Sequence, residues 1–380
     1  MACLKSGVAA LRPSPSHFTN RSMPFYRSGL AFFLVAALAC SAGAGEAKSL
    51  KKKVAAPEQT QGPLYSTRPE AMQFADDMAA RRDLDPDWVR DAIGQSRYNA
   101  TVVRLMQPPT KTFVKNWRVY RSRFIDPVRI EAGRRFWLEN QQALERAEKE
   151  YGVPAEIIVG IIGVETIYGR DTGNFRVMDA LTTLAFDFPA NHPRAKERSE
   201  FFKGEIEQFL TLQSRREASP FEARGSFAGA MGLPQFMPSS WVKYAVDFDG
   251  DGNIDLWNSK ADVIGSVASY FKAFNWQPGM PTHYPVSFDK SRLDMDALMA
   301  PDILPTFSVA SFTEKGAVLE GPALQHPGPL ALIELLNGAD APQYVAGTEN
   351  FYAITRYNWS SYYAMAVIEL GREVAARVKQ

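Results

Sequence analysis

The chain has 380 residues, room for roughly two to three domains at 100–200 residues each, and its 46% hydrophobic and 22% charged residues are those of a soluble globular protein. Lys and Arg number 43 against 42 Asp and Glu, a net charge of +1 that supplies no basic stripe for nucleic acid. The only cysteines are Cys3 and Cys40, and the four histidines (His17, His192, His283 and His326) are dispersed, which excludes a disulfide framework, a zinc ribbon and an HExxH metal centre in the folded part.

Residues 1–44 read as a secretory signal peptide. Arg21 and Arg27 precede the apolar run from Leu30 to Leu38, and small residues follow from Ala39 to Gly45. The run is too short for a membrane span, which takes ~20 residues. Met23 would make a more typical start than Met1. Ala37-Leu38-Ala39-Cys40 loosely resembles a lipoprotein box, which makes Cys40 a candidate lipid anchor, whereas Ala42-Gly43-Ala44 would release a soluble protein. The signals lean slightly towards the soluble form.

Residues 45–67, with Lys51-Lys52-Lys53 and then Pro, Gln, Gly and Ser, read as a linker. A helical domain is predicted over 68–150, from helical spacing between Glu70 and Ile93 and again between Ile130 and Tyr151. Gly152-Val153-Pro154 breaks the chain and opens a second region, 151–276, with helices over Ala195–Gln213 and 261–275. Pro becomes frequent from Pro278 to Pro329, and short Val, Ile and Phe runs predict a small strand-containing insertion over 277–345. The last segment, 346–380, returns to helix from Tyr362 to Val378. The predicted fold class is mainly α (α+β).

Chemistry concentrates in the segment from Val153 to Gly169. No side chain from Ile157 to Val164 is polar, so this helix is apolar all round and predicted to be buried. Gly160 and Gly163 each cost ~1 kcal/mol relative to Ala in a helix interior, which points to close approach by another backbone. Glu165 lies on the face of Ile158 and Ile161. Burial favours its neutral form, as a general acid working near neutral pH requires. The bland alternative is a Glu salt-bridged to Arg170 or capping a loop, and on this segment alone the two readings are even. No other acid sits in a comparably apolar stretch. A second segment, Gly225–Trp241, is too irregular for one helix, and its Gly content permits backbone to approach a ligand. It is not a GxSxG elbow, since Ser226 directly follows Gly225.

Glu165-Thr-x-x-Gly169 after an apolar helix, then Gly225-Ser-Phe-Ala-Gly-Ala-Met-Gly-x-x-Gln-Phe-Met-Pro-Ser-Ser240, resembles the lytic murein transglycosylase B family. The match continues through Asp247–Trp257 and Ile354–Ser360 and covers roughly residues 68–376. The resemblance implies a lysozyme-like catalytic core over 151–276, flanked by the helical and strand-containing parts, with 346–380 completing the cleft. It implies Glu165 as the sole catalytic acid/base, and Ser226, Gln235, Tyr120, Tyr270, Tyr357, Asn358 and Tyr363 along the glycan. Ser226, Gln235 and Asn358 are the stronger candidates, because packing is the simpler account of each tyrosine. The implied reaction cleaves the β-1,4 bond between N-acetylmuramic acid and N-acetylglucosamine in peptidoglycan without water, leaving a 1,6-anhydro end. A monomer in the periplasm, soluble or anchored to the outer membrane through Cys40, is expected.

Asp247, Asp249 and Asp251 with Gly252 match the opening of an EF-hand loop, Asn253 and Asp255 fill its seventh and ninth places, and alternating hard oxygen ligands suit Ca²⁺. The twelfth place is Asn258 rather than Glu. The resemblance implies a longer loop, 247–262, closed by Asp262. A structural Ca²⁺ is the expected cofactor, with no organic one. Two other functions fit the same residues: a hydrolytic muramidase, which would need a second, water-activating acid, and a calcium-dependent wall-binding protein without turnover.

Overall fold

The computed structural model describes residues 62–108 and 114–380. The predicted signal peptide and Cys40 lie outside the described residues, as does the linker up to residue 61. The part of that linker that is described is docked. Tyr65 is buried, its backbone N–H reaches Ser96 O at 3.1 Å, and its hydroxyl donates to Asp187 at 2.5 Å.

Two helices, Pro69–Arg82 and Pro86–Gly94, occupy the first predicted helical stretch. Asp85 starts the second by accepting the Trp88 N–H, with Pro86 in the first turn where its missing N–H costs nothing. The predicted helix over 130–151 is two, Pro127–Glu139 and Gln141–Tyr151. Asn140 breaks it: its φ of −122° leaves the helical region, and its side-chain amide caps Phe136 O at 2.7 Å. Val177–Phe186, a buried helix that the sequence did not suggest, packs on the long helix Ala195–Arg215.

The helix Ala155–Thr166 runs through the centre, and every residue from Ile157 to Val164 is buried. It is covered by Pro127–Glu139, Gln141–Tyr151, Lys260–Ala273 and, most extensively, Ser361–Val378. The last of these packs antiparallel through glycine. A Cβ on Gly160 would collide with the Val367 carbonyl, and one on Gly371 with the Glu156 carbonyl. These paired backbone contacts set the register between the two helices. Continued towards the C-terminus of Ala155–Thr166, the same register brings Glu165 opposite Tyr363.

The strand-containing region holds a three-stranded antiparallel sheet in the order His283–Pro285, Asp340–Gly347, Ala331–Asn337, and a two-stranded pair, Ser287–Phe288 with Ala317–Val318. It encloses its own small core around Leu298, Phe312, Leu330 and Leu332. The hairpin tip touches the chain ahead of the helix Trp117–Arg121, where Gly338 N–H donates to Lys115 O at 3.1 Å. A separate short pair, Phe175–Arg176 with Arg224–Gly225, holds the Ser226 loop.

Gly160→Ala should lower unfolding stability by about 1–3 kcal/mol through overpacking. Gly204→Ala, in mid-helix with open space around its Cβ, should raise it by up to about 1 kcal/mol. Urea unfolding of both variants measures the pair.

Candidate active site

Glu165 is the penultimate residue of its helix, where the buried stripe reaches the surface of the packed body. Protein surrounds the carboxyl on nearly every side, yet part of the residue stays accessible. Burial pushes the carboxyl up to about 7, and the Tyr363 hydroxyl, donating to Oε1 at 2.5 Å, partly opposes this. Among the described residues no cation pairs with it, and Arg170 stands exposed in solvent. The salt-bridge alternative is not realised.

Four tyrosines gather at this carboxyl. Tyr357 lies parallel to Tyr363 at 6.5 Å between centroids, and Tyr270 packs on Tyr357 at 4.8 Å. Burial first, then the negative charge of Glu165, raises the proton affinity of Tyr120, Tyr357 and Tyr363, taking Tyr120 to about 12. The hydroxyls of Tyr270 and Tyr357 are committed to the carbonyls of Arg356 (2.7 Å) and Pro234 (2.5 Å), so they hold backbone in place. Tyr120 packs against Phe124 at 5.1 Å and Tyr362 at 5.7 Å. The favoured polar candidates take other parts. Ser226 Oγ accepts the N–H groups of Ala228 (3.2 Å) and Ala230 (3.0 Å) and so shapes its own loop, keeping only its hydroxyl hydrogen to offer. Gln235 sits in the left-handed region at φ 52° and donates Nε2 to Thr172 O and Gly232 O. Asn358 follows Tyr357 in extended backbone, with a half-buried side chain. It is a tyrosine, Tyr363, that touches Glu165. Only tertiary contact reveals this, because the two lie 198 residues apart.

A second acid is buried: Glu205 is 2% exposed, although its helix is no apolar stretch and carries alternating polar residues. Ser239 compensates it, donating both its N–H (2.8 Å) and its hydroxyl (2.6 Å) to the carboxyl. A buried acid with two such donors is a structural part. Thr166, adjacent to Glu165, is a residue that sequence reasoning passed over. It is fully buried and hydrogen-bonds Leu233 O at 2.9 Å.

In the acidic loop, carboxylate oxygens of Asp247, Asp249 and Asp251 lie within 4.8 Å of one another, all on exposed residues. Among the described residues no Lys or Arg pairs with them, and backbone N–H groups of Gly250, Gly252 and Asn253 hold the carboxylates in place. Three clustered hard oxygen donors without a counter-charge fit a divalent cation such as Ca²⁺. Asn253 lies on the same loop, with its N–H on Asp251. Asp262, expected to close the ligand set, does not fall in this cluster of three and binds backbone. It is 1% exposed, and its two oxygens accept N–H groups from Phe248 (2.7 Å), Asp249 (3.3 Å) and Asp255 (2.8 Å). Standing in the first turn of Lys260–Ala273, it latches the loop to the body.

A half-sheltered carboxylic acid at the end of a buried helix, lined by tyrosines and facing no cation among the described residues, has the means to protonate a glycosidic oxygen, as the lysozyme-like class of glycan-cleaving enzymes requires. The chain belongs to the transglycosylase SLT domain family, which it matches over residues 66–372. It is 41% identical over 333 residues to membrane-bound lytic murein transglycosylase B of Escherichia coli, covering 83% of this chain and 85% of that one. The structure of the Escherichia coli lytic transglycosylase Slt35 in complex with calcium is similar at a TM-score of 0.71 and 40% identity, over 85% of this chain and 97% of that one. SltB3 of Pseudomonas aeruginosa, in complex with NAG-anhNAM-pentapeptide, is similar at a TM-score of 0.65 and 28% identity, over 79% and 78%. The chain is a lytic transglycosylase of peptidoglycan with the lysozyme-like SLT fold. No helix among the described residues is long and apolar enough to cross a membrane.

The proton held by Glu165 makes stability depend on pH. From pH ~4.5 to about 7 the folded state keeps a proton that the unfolded chain has lost, so stability falls as pH rises through that window. Glu165→Gln removes this slope. The variant should gain on the wild type by on the order of 2 kcal/mol between pH 4.5 and 7 and hold the gain above, as read by urea unfolding across that range.

Proposed function

We infer that Glu165 is the single acid/base of a non-hydrolytic cut between N-acetylmuramic acid and N-acetylglucosamine. The observation that carries this is its placement: an enclosed carboxyl at the end of the central helix, held by the Tyr363 hydroxyl and, among the described residues, in no ion pair with a cation. A hydrolytic route would call for a second acid to activate water. Tyr363 donates to Oε1, which leaves Oε2 to carry the catalytic proton. Oε2 protonates the departing glycosidic oxygen, and the C1–O bond breaks. The resulting carboxylate takes the proton of the muramoyl C6 hydroxyl as that oxygen attacks C1 and closes the 1,6-anhydro ring. The proton given to the leaving sugar is thus returned from the other, and water is not consumed. The hydroxyl is already tethered, an advantage that can reach an effective molarity of ~10⁵ M. The substrate N-acetyl group assists at C1, as in substrate-assisted glycosidases. Gln235, Asn358, Ser226 and Tyr120 bind the strand, while Tyr270 and Tyr357 hold the backbone of this wall. The product bound to SltB3 supports the anhydro outcome, and the murein named for the Escherichia coli relative supports the substrate. Action on this polymer places the enzyme in the periplasm.

Asp247, Asp249 and Asp251, with Asn253, would hold Ca²⁺, whose charge would offset three clustered carboxylates and stiffen the loop. The calcium complex of Slt35 supports this reading.

Two experiments test these roles. Glu165→Gln should lower cleavage of purified peptidoglycan by about 10³-fold or more, and mass spectrometry of wild-type digests should find muropeptides lighter by one water than hydrolytic products. Hydrated ends as the main product would overturn the route. Adding Ca²⁺ to chelator-treated protein at a hundredfold excess over Kd should stabilise it by ~2.7 kcal/mol, a rise in melting temperature of roughly 5–10 °C. Asp247→Asn with Asp251→Asn should abolish that rise in the same calorimetric scan.

A further inference from the structure

Thr166 ends the helix that carries Glu165, and the chain beyond it is strained. Ile167 and Tyr168 both adopt left-handed conformations, φ 50° and 56°, before Gly169 at φ 91°. A β-branched residue in that region is a genuine outlier. Such backbone persists only where its surroundings over-determine it. Thr166 supplies much of that determination. Its hydroxyl accepts the Gly169 N–H at 3.1 Å, closing the turn, and donates across to Leu233 O at 2.9 Å, with Ile162 O at 3.3 Å as the in-helix alternative.

The turn Gly232–Gln235 that receives this bond is held from three further sides. Leu233 N–H donates to Leu256 O at 2.9 Å, Pro234 O accepts the Tyr357 hydroxyl at 2.5 Å, and the Gln235 amide reaches Thr172 O at 3.1 Å. A Cβ on Gly169 would press on the Leu233 side chain, so the two turns are also in van der Waals contact. Among the described residues, Thr166 is the side chain that ties the acid's helix directly to this turn by a hydrogen bond.

We propose that Thr166 is a positioning residue for the cleavage reaction, locking the terminal turn of the Glu165 helix to the Gly232–Gln235 turn so that the acid and the glycan-binding wall keep one spacing. The proposal rests on the reading of Glu165 as the acid. Thr166 is fully buried and acts by holding Glu165 and the Gly232–Gln235 turn at one spacing. Valine has the same shape without the hydroxyl, and serine keeps the hydroxyl without the methyl group.

The test measures release of anhydromuropeptides from purified peptidoglycan by Thr166→Val, Thr166→Ser, Leu144→Ala and Glu165→Gln, with a melting curve for each. Thr166→Val should lose about 10–100-fold in kcat with KM within about twofold, the order that a misplacement near 1 Å produces. The alkaline limb of its pH profile should move, because the acid's enclosure changes. Thr166→Ser should recover kcat to within about threefold. Leu144→Ala, a cavity variant at a fully buried side chain that makes no hydrogen bond to the acid or its turn, should melt lower while keeping kcat and the pH profile. If the valine variant does not fold, Thr166→Ala carries the same expectation. A valine or alanine variant with wild-type kcat and pH profile overturns the proposal, as does a serine variant that falls equally far. Full activity in Glu165→Gln would overturn the parent reading instead.

Discussion

Two helix backbones in glycine-mediated contact govern the rest of this structure. Because Gly160 and Gly371 lack side chains, Ala155–Thr166 and Ser361–Val378 approach until carbonyl groups sit where Cβ atoms would be. A contact that close tolerates little sliding. It therefore sets which residues meet at the helix ends, and there it places the Tyr363 hydroxyl against Glu165. The acid's elevated proton affinity follows from the same packing, since the helices that exclude water from Ile158 and Ile161 also strip it from the carboxyl.

Glu205 and Glu165 show how differently one residue type can be housed. Both are enclosed, and burial raises the proton affinity of each. Glu205 is met by two donors from the start of the Pro238–Tyr244 helix and has no need of a proton or a ligand. Glu165 is met by one donor and by an opening. Burial alone therefore does not distinguish the two settings; the count of fixed donors does.

The sequence made the central helix legible because a run with no polar side chain can only be interior, and two glycines inside it announced a close neighbour. Glu165 and the acidic loop were legible for the same kind of reason, an exceptional local pattern. What stayed hidden depends on distance along the chain. Tyr363 was one of several tyrosines that the resemblance put along the glycan, and only the fold shows that its hydroxyl meets the acid. Asp262 satisfied a spacing rule, and only the fold shows that its place in the first turn of a helix also gives it three backbone N–H partners. Asn140 divided a helix that periodicity alone had joined, since hydrophobic spacing reports faces and says little about a side chain that caps its own backbone. Val177–Phe186 escaped because a helix buried on most sides has no polar face to give it a period.

The antiparallel pairing of the two central helices also orders events during synthesis. Tyr363 is made 198 residues after Glu165, and the helix bearing it is the largest cover over the acid's own helix. Pro127–Glu139, Gln141–Tyr151 and Lys260–Ala273 are all made earlier, so a growing chain can cover part of Ile157–Val164 before its end is reached, but the largest cover and the Tyr363 bond to Glu165 must wait for Ser361–Val378.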